Sequence, residues 1–230
     1  MNIIIPMGGL GERFKNEGYI NPKPLINIHG KPMLEHVINS LSLTCEDTLI
    51  LIYNKELDNY NFKSIIKKEN IRYHVLNHQT RGAAETILSL THDMHVNQSK
   101  KTVVCDCDTF YSQDILANFR GMSNNAIMYF EDYSEAPIYS YIKVNDKGTV
   151  CEIKEKVKIS HFANTGCYCF ESLTLLLDYC SRVVASNHKF NNEFYVSCVI
   201  DMMLRDGHLF HPIKIQARDI HCVGTPNQLK

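Results

Sequence analysis

The stretch MNIIIPMGGLGERFKNEGYINPKP, residues 1–24, decides how this chain is read. Residues 2–5 are a short apolar, β-branched run, the pattern of a buried strand. Pro6 is expected to end it, because proline has no N–H to give a ladder. Gly8, Gly9 and Gly11 follow. Glycines at this density let the backbone take positive φ and approach a ligand closely. Successive N–H groups can then line a concavity suited to anionic oxygens. Arg13 adds a planar fork of donors for phosphate. Pro22 and Pro24 fix φ on either side of Lys23, so this ammonium is stiffly mounted. Glycine cradle, arginine and rigid lysine together read as a triphosphate site. The glycines alone would equally suit a tight strand-to-helix turn with no ligand. The stretch is not a P-loop, since no Gly-Lys-Ser/Thr follows. Nor is it a dinucleotide fingerprint, because Phe14 stands where the third glycine would be.

Outward from this loop, strand and helix patterns alternate. Leu34, Val37, Ile38 and Leu41 recur at helical spacing behind Pro22–Lys23–Pro24. Residues 48–53 read as a strand, 56–69 as a helix, 71–76 as a strand, 82–91 as a helix and 101–105 as a buried strand. Strands separated by helices predict a mostly parallel sheet, with ligands at the carboxyl ends of its strands. The glycine loop, the segment around Gln79 and the pair Asp106 and Asp108 all follow strand ends, so they are expected along one edge. The second half is richer in short strands, at 126–131, 138–144, 150–156 and 166–170. A turn signal lies at Asp146–Lys147–Gly148. Two helix faces follow, on Leu173, Leu176, Leu177 and Cys180 and on Val196, Val199, Ile200, Met203 and Leu204. A last strand is read at 208–215. These pieces are expected to extend the same sheet and form a smaller β-rich subregion over the acceptor side.

The chain's 230 residues allow one sizeable α/β domain or two small ones. A net charge of −1 offers no strongly basic surface for nucleic acid. No run of 18 apolar residues spans a membrane, and the chain enters a strand at once, so neither a span nor a secretory signal is expected. Nine cysteines are many. Cys105 and Cys107, and Cys167 and Cys169, are spaced i and i+2, too poorly placed for mutual disulfides in a strand. They read as reduced core residues of a cytosolic protein, and their spacing does not favour zinc. His92 and His95 read as solvent-exposed.

Two further constellations carry chemistry. Residues 77–86, NHQTRGAAET, leave a strand and open a helix with small residues. Gly82, Ala83 and Ala84 admit a flat group such as a base, and Gln79 can read a base edge; a plain polar loop is the alternative. Residues 103–110, VVCDCDTF, end an apolar strand in two carboxylates. In extended geometry Asp106 and Asp108 point the same way, an arrangement that wants a cation such as Mg²⁺. A solvated turn is the alternative.

Gly-x-Gly-x-Arg-Phe from Gly9, with Pro-Lys-Pro close behind, resembles the signature loop of the sugar-phosphate nucleotidyltransferases. These are the pyrophosphorylases that make nucleoside-diphosphate sugars. Their usual form is Gly-Gly-x-Gly-Thr/Ser-Arg-Leu; here Glu12 takes the Thr/Ser place. The resemblance runs through the chain in family order and implies a Rossmann-like α/β fold, one domain over 1–230. Residues 1–120 would bind nucleotide and 121–230 the acceptor. It implies transfer of a nucleoside monophosphate from an NTP to a phosphate monoester, foremost a sugar 1-phosphate, with release of pyrophosphate. Arg13, Lys23 and Asp108 would be catalytic, with Mg²⁺ on Asp108. Met7, Gly8, Gly9, Gly11, Glu12, Arg13, Gln79, Gly82, Ala83 and Asp106 would bind nucleotide. Glu155 and Lys156 resemble the acceptor motif, with Val157 replacing its usual proline. Asn164, Thr165, Gly166 and Glu193 resemble sugar-side positions. Val223–Gly224–Thr225–Pro226 resembles an ending preceded by a second metal carboxylate, where this chain has Cys222. Three alternatives stay open: a cytidylyltransferase for a small phosphate such as phosphocholine, a glycosyltransferase using Asp-x-Asp, and a non-catalytic regulatory relative. Homo-oligomerisation is left open.

Overall fold

The computed structural model describes residues 1–64, 66 and 70–229. The first strand, β1 (Asn2–Met7), runs through the middle of a large mixed sheet. Ile3, Ile4 and Ile5 are fully buried, which marks a strand covered on both faces. Each such side chain contributes about 1.5–3 kcal/mol of burial. Pro6 does not end the strand: it pairs with Ile52 on one side, and lies past Ile4, the last residue paired on the other. A missing donor is tolerated where a ladder has already stopped.

After the glycines come α1 (Glu12–Asn16), a 3₁₀ turn at Lys23–Leu25, and the small ribbon β2 (Asn27–Ile28) with β3 (Lys31–Pro32). Helix α2 (Met33–Ser40) buries Leu34, Val37 and Ile38, as the periodicity predicted, and Met33 besides; Leu41, also buried, stands just past its end. Strands β4 (Thr48–Asn54) and β5 (Ile71–Leu76) add to β1 in parallel. The helix expected over 56–69 is instead two short 3₁₀ turns, Lys55–Tyr60 and Phe62–Ser64. Asn61 between them sits at φ 50°, a left-handed conformation that Asn tolerates but a helix cannot continue through. Positions 65 and 67–69 of that expectation lie outside the described residues.

Helix α3 (Ala83–Leu88) leads through a 3₁₀ turn to β6 (Thr102–Cys105), parallel to β1 on its other side. Next come β7 (Thr109–Tyr111), α4 (Ile115–Arg120) and β8 (Asn125–Glu131). The hairpin β9 (Ser140–Val144) and β10 (Val150–Glu155) turns at residues 145–149, where the Asn145 side chain accepts from the Lys147 and Thr149 amides. Strand β11 (Phe162–Phe170) runs antiparallel to β6, β8 and β9. Helices α5 (Leu173–Ala185) and α6 (Val196–Arg205) precede β12 (Phe210–Lys214), parallel to β8, and β13 (Ile220–Cys222), which pairs with β7.

One sheet therefore runs β12-β8-β11-β6-β1-β4-β5, with β9 and β10 attached beside the first half of β11. Only β11 opposes the direction of the other six in this row. Alternation splits the core in two: Ile3 and Ile5 pack with α2 and α4, while Ile4 packs with α3, α5 and α6. Carboxyl ends of the parallel strands are left open for a site.

Candidate active site

The β1 loop is shaped by what lies against each glycine. A Cβ on Gly8 would stand 2.3 Å from the Thr86 hydroxyl and 2.4 Å from that of Thr80. The Gly8 carbonyl accepts from Gln79 Nε2 at 2.7 Å and from Asn54 Nδ2 at 2.8 Å. These bonds bring the ends of β4 and β5 to the loop, so the Gln79 segment does meet the glycines. Gly9 faces open space. Gly11 takes φ 67° just before α1, close against Lys23. Met7 is buried, whereas Glu12 and Arg13 are exposed at the start of α1. An open depression of about 530 Å³ beside the loop is walled by Gly9, Leu10, Lys15, Ile20, Lys23 and Tyr60 among others.

Lys23, set in its turn by Pro22, makes an ion pair with Asp108. Burial pulls its pKa down, but Asp108, with Cys107 and Asp106 behind it, raises Lys23 well above the usual lysine range. Asp108 in turn needs Gly224, where a Cβ would lie 2.5 Å from its Oδ2. The Val223 amide donates to the Asp108 carbonyl at 2.9 Å, fastening the C-terminal segment to the turn.

Asp106 and Asp108 do not share one extended strand face. The strand stops at Cys105 and the chain turns through Cys107 and Asp108. Asp106 instead packs on Gly166, whose absent Cβ would be 2.3 Å from its Oδ2. Burial, with the Asp108 charge beside it, holds the Asp106 carboxyl well above the ordinary carboxylate range. Cys222 is partly buried, and burial pushes its thiol up to about 11. A protonated thiol is a poor partner for a hard cation.

The second half faces this constellation. β11 is irregular between Asn164 and Tyr168, with Gly166 at φ 80°. Such a bulge re-aims side chains next to a site. Asn164 Oδ1 accepts from the Gly166 amide at 2.5 Å. Its buried Nδ2 has no partner among the described residues. Thr165 is not brought to the site: its hydroxyl and carbonyl both receive the Tyr111 hydroxyl in the interior. Glu155 accepts from Ser197 at 2.8 Å, and burial raises its carboxyl. Lys156 sits at φ 51° and donates to the Tyr195 hydroxyl at 2.8 Å. Glu193 is exposed at the rim.

The family model for nucleotidyl transferase matches residues 2–210. This chain belongs to the nucleotidyl transferase family. It is similar to the UTP–glucose-1-phosphate uridylyltransferase AglF of Haloferax volcanii, 26% identical over 94% of this chain and 88% of that protein. It is also similar to the bifunctional protein GlmU of Buchnera aphidicola, 25% identical over 95% of this chain and 48% of that protein. This nucleotidyltransferase thus spans about half the length of the GlmU relatives it matches. A solved nucleoside-diphosphate-sugar pyrophosphorylase from Vibrio cholerae superposes with a TM-score of 0.85, at 24% identity over 98% of this chain and 97% of that one. That likeness fixes the fold: a mostly parallel Rossmann-like sheet flanked by helices.

Family membership makes the protein an enzyme and a transferase, and sets aside the glycosyltransferase reading. Of three further residues of the candidate site, Asn54 escaped the sequence, while Gly224 and Tyr195 lie in stretches that resemble the family's but have no role assigned there. Asn54 holds Gly8, Gly224 makes room for Asp108, and Tyr195 holds Lys156. The doublet Asn191–Asn192 was the available signal for the third, since two such residues favour a tight turn with positive φ.

Proposed function

We propose that this nucleotidyltransferase joins a nucleoside monophosphate from an NTP to a sugar 1-phosphate, releasing pyrophosphate. The carrying observation is the Lys23–Asp108 pair at the mouth of the glycine loop, with Glu155, Lys156 and Asn164 grouped on the acceptor side. An oxygen of the acceptor phosphate attacks the α-phosphorus, and the bond from that phosphorus to the pyrophosphate oxygen breaks. The attacking phosphate is already ionised near neutral pH, so no general base is required. Arg13 and Lys23 offset charge on the α-phosphate and the departing pyrophosphate. Asp108 suits a hard cation: it already holds an ammonium, in a space kept open by Gly224. Mg²⁺ bound there with nucleotide oxygens would add further charge stabilisation. Among the described residues no group of three or more His, Cys, Asp or Glu is placed to hold a metal. The remaining ligands would therefore be phosphate oxygens and water. Gly9, Gly11 and Gln79 would receive the nucleotide, so residues 1–120 serve the NTP and 121–230 the acceptor.

A polyol acceptor is favoured over phosphocholine by one arrangement. Quaternary ammonium groups are held over aromatic faces. Here the Lys156 ammonium itself lies 4.7 Å from the Tyr195 ring centre and 6.0 Å from that of Phe190. The unpartnered Asn164 amide and the Ser197-anchored Glu155 offer a donor and an acceptor to sugar hydroxyls. All nine cysteines are free thiols, which suits the reducing cytoplasm. Among the described residues no helix is long and apolar enough to cross a membrane.

The test is a matrix of four NTPs against phosphate monoesters, read as released pyrophosphate in Mg²⁺. UTP with glucose 1-phosphate is the first pair, by analogy with AglF. Pyrophosphate is expected from a sugar 1-phosphate and not from phosphocholine. Release with phosphocholine alone would remove the sugar reading, and silence across the matrix would remove the transfer reading.

A further inference from the structure

A short strap joins the two sides of the site. Asn191 and Asn192 lie at φ 44° and 65°, while Phe190 and Glu193 exchange backbone hydrogen bonds of 3.0 and 2.9 Å. Two central residues of positive φ make the tight primed turn whose twist suits a hairpin. The turn delivers Phe194 against the nucleotide-side loop. Its amide donates to the Arg81 carbonyl at 2.7 Å, and its carbonyl accepts from Ala84 at 2.9 Å. Gly82, at φ 132°, is bare because a Cβ would stand 2.6 Å from the Phe194 backbone. The Arg81 guanidinium covers the Phe194 ring at 4.8 Å. Arg81, without a role in the sequence reading, thus clamps the strap.

The next residues grip the other side. Tyr195 takes the Lys156 ammonium, and Ser197 donates to Glu155. Four consecutive residues therefore hold the base-side loop with one end and both acceptor-motif side chains with the other. We propose that residues 194–197 couple the nucleotide and acceptor sites, with Tyr195 as the positioning residue of Lys156. The proposal rests on Lys156 belonging to the acceptor. A nucleotide seated on Gln79 and Gly82 fixes the loop that Phe194 is bonded to. Tyr195 is then held still, and Lys156 is presented in one orientation. The acceptor meets a lysine already ordered, so it binds more tightly once nucleotide is in place. Linkage requires the converse by the same factor.

The experiment uses the substrate pair selected by the pyrophosphate matrix, with the nucleotide as its α,β-methylene analogue so that transfer is blocked. Titration calorimetry on the intact protein measures the acceptor Kd with and without saturating analogue. In the wild type the Kd should fall at least about fivefold. Tyr195→Phe should bring that factor close to one, with analogue Kd and Tm unchanged. Ser197→Ala, which frees Glu155 and leaves Tyr195, should reduce the factor in part. Lys156→Ala should weaken the acceptor both with and without analogue. A wild type without coupling, or a Tyr195→Phe protein that keeps the full factor, overturns the strap. An acceptor Kd untouched by Lys156→Ala overturns the acceptor assignment instead, a separate and recognisable failure.

Discussion

Lys23 is subject to two opposed pulls. Burial disfavours its charge, and the neighbouring Asp108 more than restores it, so the side chain stays an ammonium. That ammonium occupies the carboxylate a metal would use. Lys23→Ala should therefore do two things. Turnover should fall about 10²–10³-fold, as expected when one preorganised charge is lost from a developing transition state. Mn²⁺ affinity of the nucleotide-free protein, followed by electron paramagnetic resonance, should rise because Asp108 is released. Unchanged turnover in the folded variant would make Lys23 structural, and unchanged Mn²⁺ binding would show that the ion pair does not compete. Lys23 was legible because two prolines frame it. Asp108 was legible from the apolar strand before it. Tyr195 has a place in the sequence beside Glu193 but no role there, since a hydroxyl reaching Lys156 from 39 positions away shows only in the fold.

Among the elements, the long periodic segments and the turns with marked residues could be read directly. Helices α2, α5 and α6 bury the faces their spacing indicated. The misreadings have local causes: Asn61 divides an expected helix into 3₁₀ turns, and Pro6 survives in β1 because the pairing beside it has already stopped. The bulge of β11 could not be foreseen, because it depends on Asp106, just past the end of β6, filling the space beside Gly166. In the sequence Gly82 offers room for a base, and in the fold its more demanding neighbour is Phe194. Gly82→Ala combines a positive φ with a 2.6 Å backbone clash, so a relaxed rotamer cannot rescue it. The expected loss is about 1–3 kcal/mol in urea unfolding, the cost of a strained backbone residue. Nucleotide affinity should fall with it. A variant of wild-type stability would show that the 190–195 loop yields easily and that Phe194 is no fixed anchor.

For the molecule as a whole, strand order was beyond reach of the sequence, because β11 enters between β6 and β8 only after the β9–β10 hairpin has been made. The interior edge is fastened by one buried charge. The Asp47 side chain is 1% exposed and accepts from Arg120 at 2.8 and 3.1 Å, from the Thr44 amide and hydroxyl at 2.9 and 3.0 Å, and from the Met1 amine at 2.8 Å. The start of β1, the approach to β4 and the end of α4 thus meet on a single carboxylate, opposite the end of the sheet that carries the site. Burial would raise its pKa, but these donors hold it far below the ordinary carboxylate range. A depressed carboxylate contributes stability that is full above its unfolded value, about 3.9, and is lost as pH falls toward the folded one. Asp47→Asn should cost about 3 kcal/mol at pH 7, because it leaves the Arg120 and Met1 charges without their counter-ion. Below about pH 4 the gap between wild type and variant should narrow by up to about 1.4 kcal/mol per pH unit. Urea unfolding at several pH values reads both quantities. Because Asp47 lies away from Lys23 and Asp108, kcat of the folded variant should match wild type at a temperature where both are folded. A gap that stays constant through the acid range would mean that the carboxylate acts through shape and not charge, and a lowered kcat would mean that the anchoring of β1 reaches the glycine loop at its far end.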